Sequence, residues 1–188
     1  MCQRLIEAAR AEFGDKGIEA ATTRGIADRA GCNEVTLFRN FASKQKLLQA
    51  VVAETAEEFR GLSECRSGFS GDLLEDLGRF AEVYDHSLQR CEGMARAMIG
   101  DSRRQPTMAK ELIGDVLEPL HRSITDYLEQ RKATGEVRAD LDSMAFAEIL
   151  TAALMGGLLR RGSGLSVLDR RGWLRETVGM MVRGVGVQ

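Results

Sequence analysis

The sequence predicts an all-α protein of about nine helices. An N-terminal three-helix domain containing a helix-turn-helix precedes a larger helical body. Three observations carry this. The 188 residues include only 2 prolines. Apolar residues recur mostly at three- and four-residue spacing, the period of a helix with one buried face. From Thr22 to Leu48 two short helical patterns flank a turn at Gly31, Cys32 and Asn33.

The first helix runs from about Gln3 to Phe13 or Gly14, with Leu5, Ile6, Ala9 and Phe13 as its buried stripe. Gly14 and Gly17 bracket a turn, and Ile18 drops into the small core. Thr22 is the expected N-cap of the second helix. That helix ends at Gly31, where a left-handed conformation costs glycine little. Asn33 caps a third helix from about Glu34 to Asn40. Cys32 offers a small apolar side chain to plug the core at the turn. Ser43 caps a longer fourth helix that starts at Lys44 and turns Leu47, Leu48, Val51 and Val52 inward. Stop, turn and restart within so few residues is helix-turn-helix geometry.

A Gly- and Ser-rich connection from Gly61 to Gly71 leads into the body. Helices are expected over about Asp72–Cys91 and Gly93–Ile99. A long helix follows over about Thr107–Ala133, kinked at Pro119. Leu141–Leu159 and Leu168–Val185 complete the set. The domains are read as 1–48 for the helix-turn-helix and 49–188 for the body.

The net charge is −2, but it is unevenly spread. Between Ala21 and Ala50 stand Arg24, Arg29, Arg39, Lys44 and Lys46 against only Asp28 and Glu34. After Ala50, 18 basic residues face 22 acidic ones. A basic module on an acidic body suits phosphate binding by one face. The 4 cysteines, Cys2, Cys32, Cys65 and Cys91, form no Cys-x-x-Cys pair and read as free thiols in a reducing compartment. No apolar run approaches the ~20 residues of a membrane span, and the N-terminus lacks a signal-peptide pattern, so a cytoplasmic protein is expected. No Gly-x-Ser-x-Gly elbow, phosphate loop or His-Glu-x-x-His motif is present, which leaves an enzyme little to work with. Glu82 and His86 stand one helical turn apart but have no evident third ligand, so neither a metal nor a cofactor is expected.

From Leu5 to Val52 the chain resembles the TetR family of bacterial transcription regulators. The resemblance rests on an amphipathic first helix followed by GIEAATTRGIADRAGCNEVTLFRNFASKQKLL. Further on, TGEVRADLD before a long apolar helix is typical of that family. The resemblance implies a ligand-responsive regulator. It would bind double-stranded DNA as a homodimer, repress, and release a palindromic operator when a small apolar effector binds the body.

The family's DNA contacts map onto Thr23 for phosphate, Arg24 for a guanine edge, Thr36 for phosphate or base, and Lys44 for phosphate. At Lys44 the positive end of the fourth helix adds to the contact. Phe38 replaces the usual tyrosine and lacks its hydroxyl. Asn33, Glu34, Val35, Arg39 and Asn40 complete the expected DNA face. Glu34 has three readings: it accepts from a cytosine N4 amine, caps the helix, or pairs with an arginine. Val35 either meets a thymine methyl or packs, and Arg39 reaches phosphate, base or solvent. The effector pocket is expected from Phe80, Tyr84, Leu88, Met98, Leu117, Leu120, Ile124 and Met155, with Met94, Met108 and Ile113 as further candidates. A four-helix dimer interface is expected from Ala145, Ile149, Ala152, Gly156 and Leu159 with Trp173, Val178 and Met181.

Overall fold

The computed structural model describes residues 1–63, 68–104, 106, 107, 110 and 113–186, with backbone alone at 60–63 and 113. Cys65 and Met108, and the side chain of Ile113, lie outside the described residues. The helices are α1 (Cys2–Lys16), α2 (Thr23–Arg29), α3 (Glu34–Asn40), α4 (Lys44–Ser63), α5 (Leu73–Arg90), α6 (Glu92–Asp101), α7 (Glu118–Ala133), α8 (Ser143–Gly162) and α9 (Arg170–Val185). Among the described residues the one β-type pairing is an isolated bridge between Val137 and Gly186.

The local signals in the first third form as the sequence predicts. Thr22 Oγ1 accepts from the Gly25 N–H at 3.0 Å, Asn33 Oδ1 from the Thr36 N–H at 2.9 Å, and Ser43 Oγ from the Lys46 N–H at 3.1 Å. Each satisfies a donor that a helix start would otherwise leave bare. Gly31 takes φ +64°, the left-handed value its turn requires. Pro119 departs from expectation. It stands in the first turn of α7, after a π-helical turn at Ile113–Leu117. The π-helical turn runs directly into α7, so the proline falls at the start of the α-helical stretch, where a missing N–H costs little, rather than inside it.

The chain forms two compact units, which do not follow chain order. The first comprises Met1–Glu58 together with Cys91–Asp115. Its core joins Leu5, Ala9, Phe13, Ile18, Ile26, Leu37, Leu47 and Val51 to Met94, Ala97 and Met98 of α6. Cys32 packs half-buried against this core, as its turn position suggests. Alpha-helices α1 and α6 touch backbone to backbone: a Cβ on Gly93 would sit 3.1 Å from the Gly14 Cα, and one on Gly14 equally close to Gly93. Asp101, at the end of α6, accepts from the Ile18 N–H at 2.9 Å and so holds the α1–α2 loop.

The second unit comprises Phe59–Arg90 and Val116–Gln188. In it α8 packs against α5, α7 and α9. By length and composition alone α8 is long and apolar enough to span a bilayer, although it has no unbroken apolar run of that length. Leu150, Leu154 and Leu158 spend that apolarity on the core. Two buried carboxylates knit the unit. Asp85 of α5, fully buried, accepts from Arg161 Nη2 at 2.6 Å and from Arg170 Nε at 2.7 Å, joining α5 to α8 and α9. Asp76 accepts from the Tyr127 hydroxyl at 2.6 Å and from the N–H groups of Ser70 and Gly71 at 2.6 and 2.9 Å. Trp173 lies on Gly157, where any Cβ would strike its ring, and donates Nε1–H to the Ala153 carbonyl at 3.1 Å.

Two outcomes test this packing. Gly93→Ala forces a methyl against the α1 backbone and should destabilise by about 1–3 kcal/mol, read from a urea or thermal transition. Burial pushes the Asp76 carboxyl up, but the hydrogen bonds from Tyr127, Ser70 and Gly71 outweigh it and hold it below the ordinary aspartate value. The unfolded chain therefore takes up that proton first as the pH falls, and the stabilisation is lost through and below the ordinary range near about 4. Acid titration of the urea midpoint should show this loss, and Asp76→Asn should flatten it.

Candidate nucleic-acid interface

Helix α3 has one apolar anchor, Leu37, which is fully buried. The remaining faces of this short helix are open. Val35 is 58% and Phe38 48% exposed, large values for such side chains. Val35 is therefore not a packing residue. Asn33, Arg39 and Asn40 are exposed, and Glu34 and Thr36 are half-buried. Arg24 is exposed on α2 and, like Arg39, makes no side-chain hydrogen bond or ion pair to the described residues. The helix-turn-helix thus presents two uncommitted guanidiniums beside an apolar pair.

Six of the expected contact residues, Thr23, Asn33, Glu34, Thr36, Asn40 and Lys44, already have side-chain partners. The Thr36 hydroxyl donates to Asn33 Oδ1 at 2.8 Å, so it belongs to the cap of its own helix. Asn40 donates to the Thr36 carbonyl at 2.7 Å and accepts from the Cys2 thiol at 3.0 Å. The Thr23 hydroxyl donates to Glu34 Oε1 at 2.6 Å. Of the three readings of Glu34, the arginine pair does not form among the described residues, and the cap is Asn33.

Lys44 begins α4, and its ammonium donates to the carbonyls of Glu19 and Ala21 at 2.9 and 2.5 Å. Burial lowers its pKa, with Glu19 and Asp101 opposing. An ammonium has three protons, so one remains for a phosphate while two hold the α1–α2 loop. Neither acceptor was legible in sequence, because both lie over twenty residues away. Arg29, counted as part of the basic module, instead pairs with Asp15 at 2.8 Å and with buried Glu12 at 3.4 Å. Arg4 donates to the Ala30 carbonyl at 2.6 Å and closes the end of α2. Arg4 and Arg29 border an open groove of about 360 Å³ with Glu7, Ala8, Ala11 and Ala30.

Residues 5–51 match the bacterial regulatory proteins of the tetR family, and residues 69–175 match the tetracyclin repressor-like C-terminal domain. The chain belongs to the TetR family. It is 30% identical to the HTH-type transcriptional dual regulator CecR of Shigella flexneri, over 91% of this chain and 80% of that protein. It is 25% identical to the HTH-type transcriptional regulator YvkB of Bacillus subtilis, over 97% and 96% of the two chains. The fold is also that of the fatty acid degradation regulator FadR from Bacillus halodurans, with a TM-score of 0.78, 17% identity and coverage of 96% and 94%. TetR-family proteins are helix-turn-helix regulators that bind DNA, act as dimers and respond to small molecules. This chain carries both the reader and the body such a regulator needs.

In the body of this TetR-family chain, Phe80, Tyr84, Leu88, Leu120 and Ile124 are buried, while Leu117 and Met155 are half-buried. The Phe80 and Tyr84 rings stack with centroids 5.7 Å apart, and Phe59 meets Tyr84 edge-on. Met98 does not join them: it packs in the core of the first unit, with α1. On α8, Ile149 and Ala152 are exposed, and Ala145, Gly156 and Leu159 are half-buried. On α9, Trp173 and Met181 are half-buried, but Val178 is buried inside its own chain. Five residues carry a helix about 140° past Trp173, whereas seven return to within about 20° of it. Met180, seven residues on and 60% exposed, is the position that spacing should have selected.

Lys44→Ala should weaken binding to all DNA sequences about equally and reduce the salt slope of affinity by about one ion. It should also lower the melting temperature, because two loop carbonyls lose their donor. Salt titration of binding beside a thermal melt checks both.

Proposed function

We propose that the protein is a dimeric repressor that grips a palindromic operator with two copies of α3 and is released when a small apolar molecule enters the body. The observation that carries this is the exposed set on α2 and α3: Arg24 and Arg39, without side-chain partners among the described residues, together with Val35 and Phe38. A short two-helix motif that exposes an aliphatic and an aromatic side chain along with two uncommitted guanidiniums suits a partner that covers them. Arg24 pairs with a guanine through O6 and N7. Val35 meets a thymine methyl, and Phe38 forms an apolar wall without a phosphate contact. Asn33, Arg39 and Asn40 face base edges or phosphates. Lys44 spends its remaining proton on phosphate.

The dimer forms through α8 and α9. Ala145, Ile149, Ala152 and Gly156 repeat at the spacing of one helical face, and a methyl on Gly156 would meet nothing of its own chain. With Met180 they offer a small-residue seam on which a second copy closes. The effector occupies the region of Phe80, Tyr84, Leu88, Leu120, Ile124 and Met155, which is aliphatic with one stacked aromatic pair. The protein works in the cytoplasm by binding alone and catalyses no reaction. In support of that last point, the relatives it matches are transcriptional regulators.

Selection of sites from a random duplex pool with the full-length protein at moderate salt tests the reading. A palindrome with half-sites about one helical turn, ~34–36 Å, apart is the expected result. Arg24→Ala should cost about 1–3 kcal/mol and relax the preference at one guanine. A folded dimer that enriches no sequence would refute a DNA reader.

A further inference from the structure

Thr23 and Glu34 open α2 and α3, and the turn between the helices brings them together, so that Thr23 Oγ1 donates to Glu34 Oε1 at 2.6 Å. A hydroxyl has one proton. Committed to Glu34, the Thr23 hydroxyl presents only lone pairs to anything else, and a phosphate oxygen repels lone pairs. A phosphate contact donated by that hydroxyl would therefore require this bond to break, whereas the Thr23 backbone N–H, at the start of α2, stays free of it. Glu34 is then left as a carboxylate on the face that enters a phosphate-lined groove. With the bond intact, Oε1 is held and Oε2 has no hydrogen-bond partner among the described residues. Glu34 sits half-buried next to Val35, the exposed aliphatic of the same face.

A carboxylate in that place is repelled by every phosphate around it unless a donor meets it. The major groove supplies amine donors on base edges, and the one suited to a carboxylate is cytosine N4, which has no acceptor on its own base beside it; adenine N6 is flanked by the N7 acceptor. Resting on the proposed function as a DNA reader, we infer that Glu34 accepts from a cytosine N4 amine in each half-site. Thr23 is then a positioning residue that fixes the Glu34 carboxylate through its hydroxyl, rather than a phosphate contact made by that hydroxyl. Specificity arises by exclusion as much as by attraction: at any other base the charge stays uncompensated in the groove.

The test is site selection with full-length wild type, Glu34→Gln, Thr23→Val and Thr23→Ser, each first shown to be helical and dimeric. Wild type should enrich a palindrome with cytosine at one symmetric position of both half-sites. Glu34→Gln should change that position to adenine, whose N6 and N7 an amide matches, and leave the rest of the site intact. Thr23→Val should blur that position alone, and Thr23→Ser should keep it. With wild-type protein, replacing the C·G pair there by U·A should weaken binding by about 5- to 150-fold. An enriched operator whose pattern Glu34→Gln leaves unchanged, or which tolerates the U·A pair, overturns the assignment of Glu34 while the DNA-reading function stands. Thr23→Val weakening every sequence evenly, with base preferences kept, overturns the positioning role and returns the hydroxyl to phosphate. No enrichment by wild type overturns both the reader and this inference.

Discussion

The contact on which the DNA reader depends is the crossing of α1 and α6 at Gly14 and Gly93. Neither residue can carry a side chain without meeting the other's backbone. Two helices that touch in this way leave no slack for independent sliding, since cores at crystal-like density are bistable rather than continuously deformable. Met94, Ala97 and Met98 complete the apolar interior of residues 1–58 from a segment that begins more than thirty residues further along the chain. The reader is therefore a five-helix unit whose last helix, α6, is drawn from a later stretch of the chain. At its other end α6 holds the α1–α2 loop, where Asp101 accepts from the Ile18 amide. That loop supplies the carbonyls held by Lys44 and leads into Thr22, the cap of α2.

Charge in the reader divides into structural and available parts. Arg29 is tied to Asp15 and buried Glu12, Arg10 bridges to Glu54 and Glu58 of α4, and Arg4 closes α2. These cations hold helices together and add little free positive potential. Arg24 and Arg39 are different, because they make no such pair among the described residues. A count of basic residues along the sequence therefore overstates the charge left uncommitted on this unit. Glu12 shows how tightly the inner network is built: a Cβ on Gly25 would strike its carboxylate. In the body, Asp85 plays a comparable part. One buried carboxylate holds two arginines from different helices, and removing it would leave the largely buried Arg161 without that partner, whereas Arg170, 42% exposed, could turn to water.

Sequence alone determined what is decided within a few residues. Helical period, the caps at Thr22, Asn33 and Ser43, and the left-handed turn at Gly31 are local events, governed by backbone sterics and by donors that must find acceptors nearby. The family motif lies in that same local stretch, so the exposed reading face was legible with it. Tertiary structure alone decided which segments share a core and which polar groups meet. Met98 reads as a pocket methionine and packs with α1. Val178 reads as an interface residue and faces inward. Thr23 reads as a phosphate contact, and its hydroxyl is committed to Glu34. The reason in each case is the same: periodicity says that a helix has a buried face, but the partner that covers the face, or captures a proton, comes from a distant part of the chain and is fixed only when the helices pack.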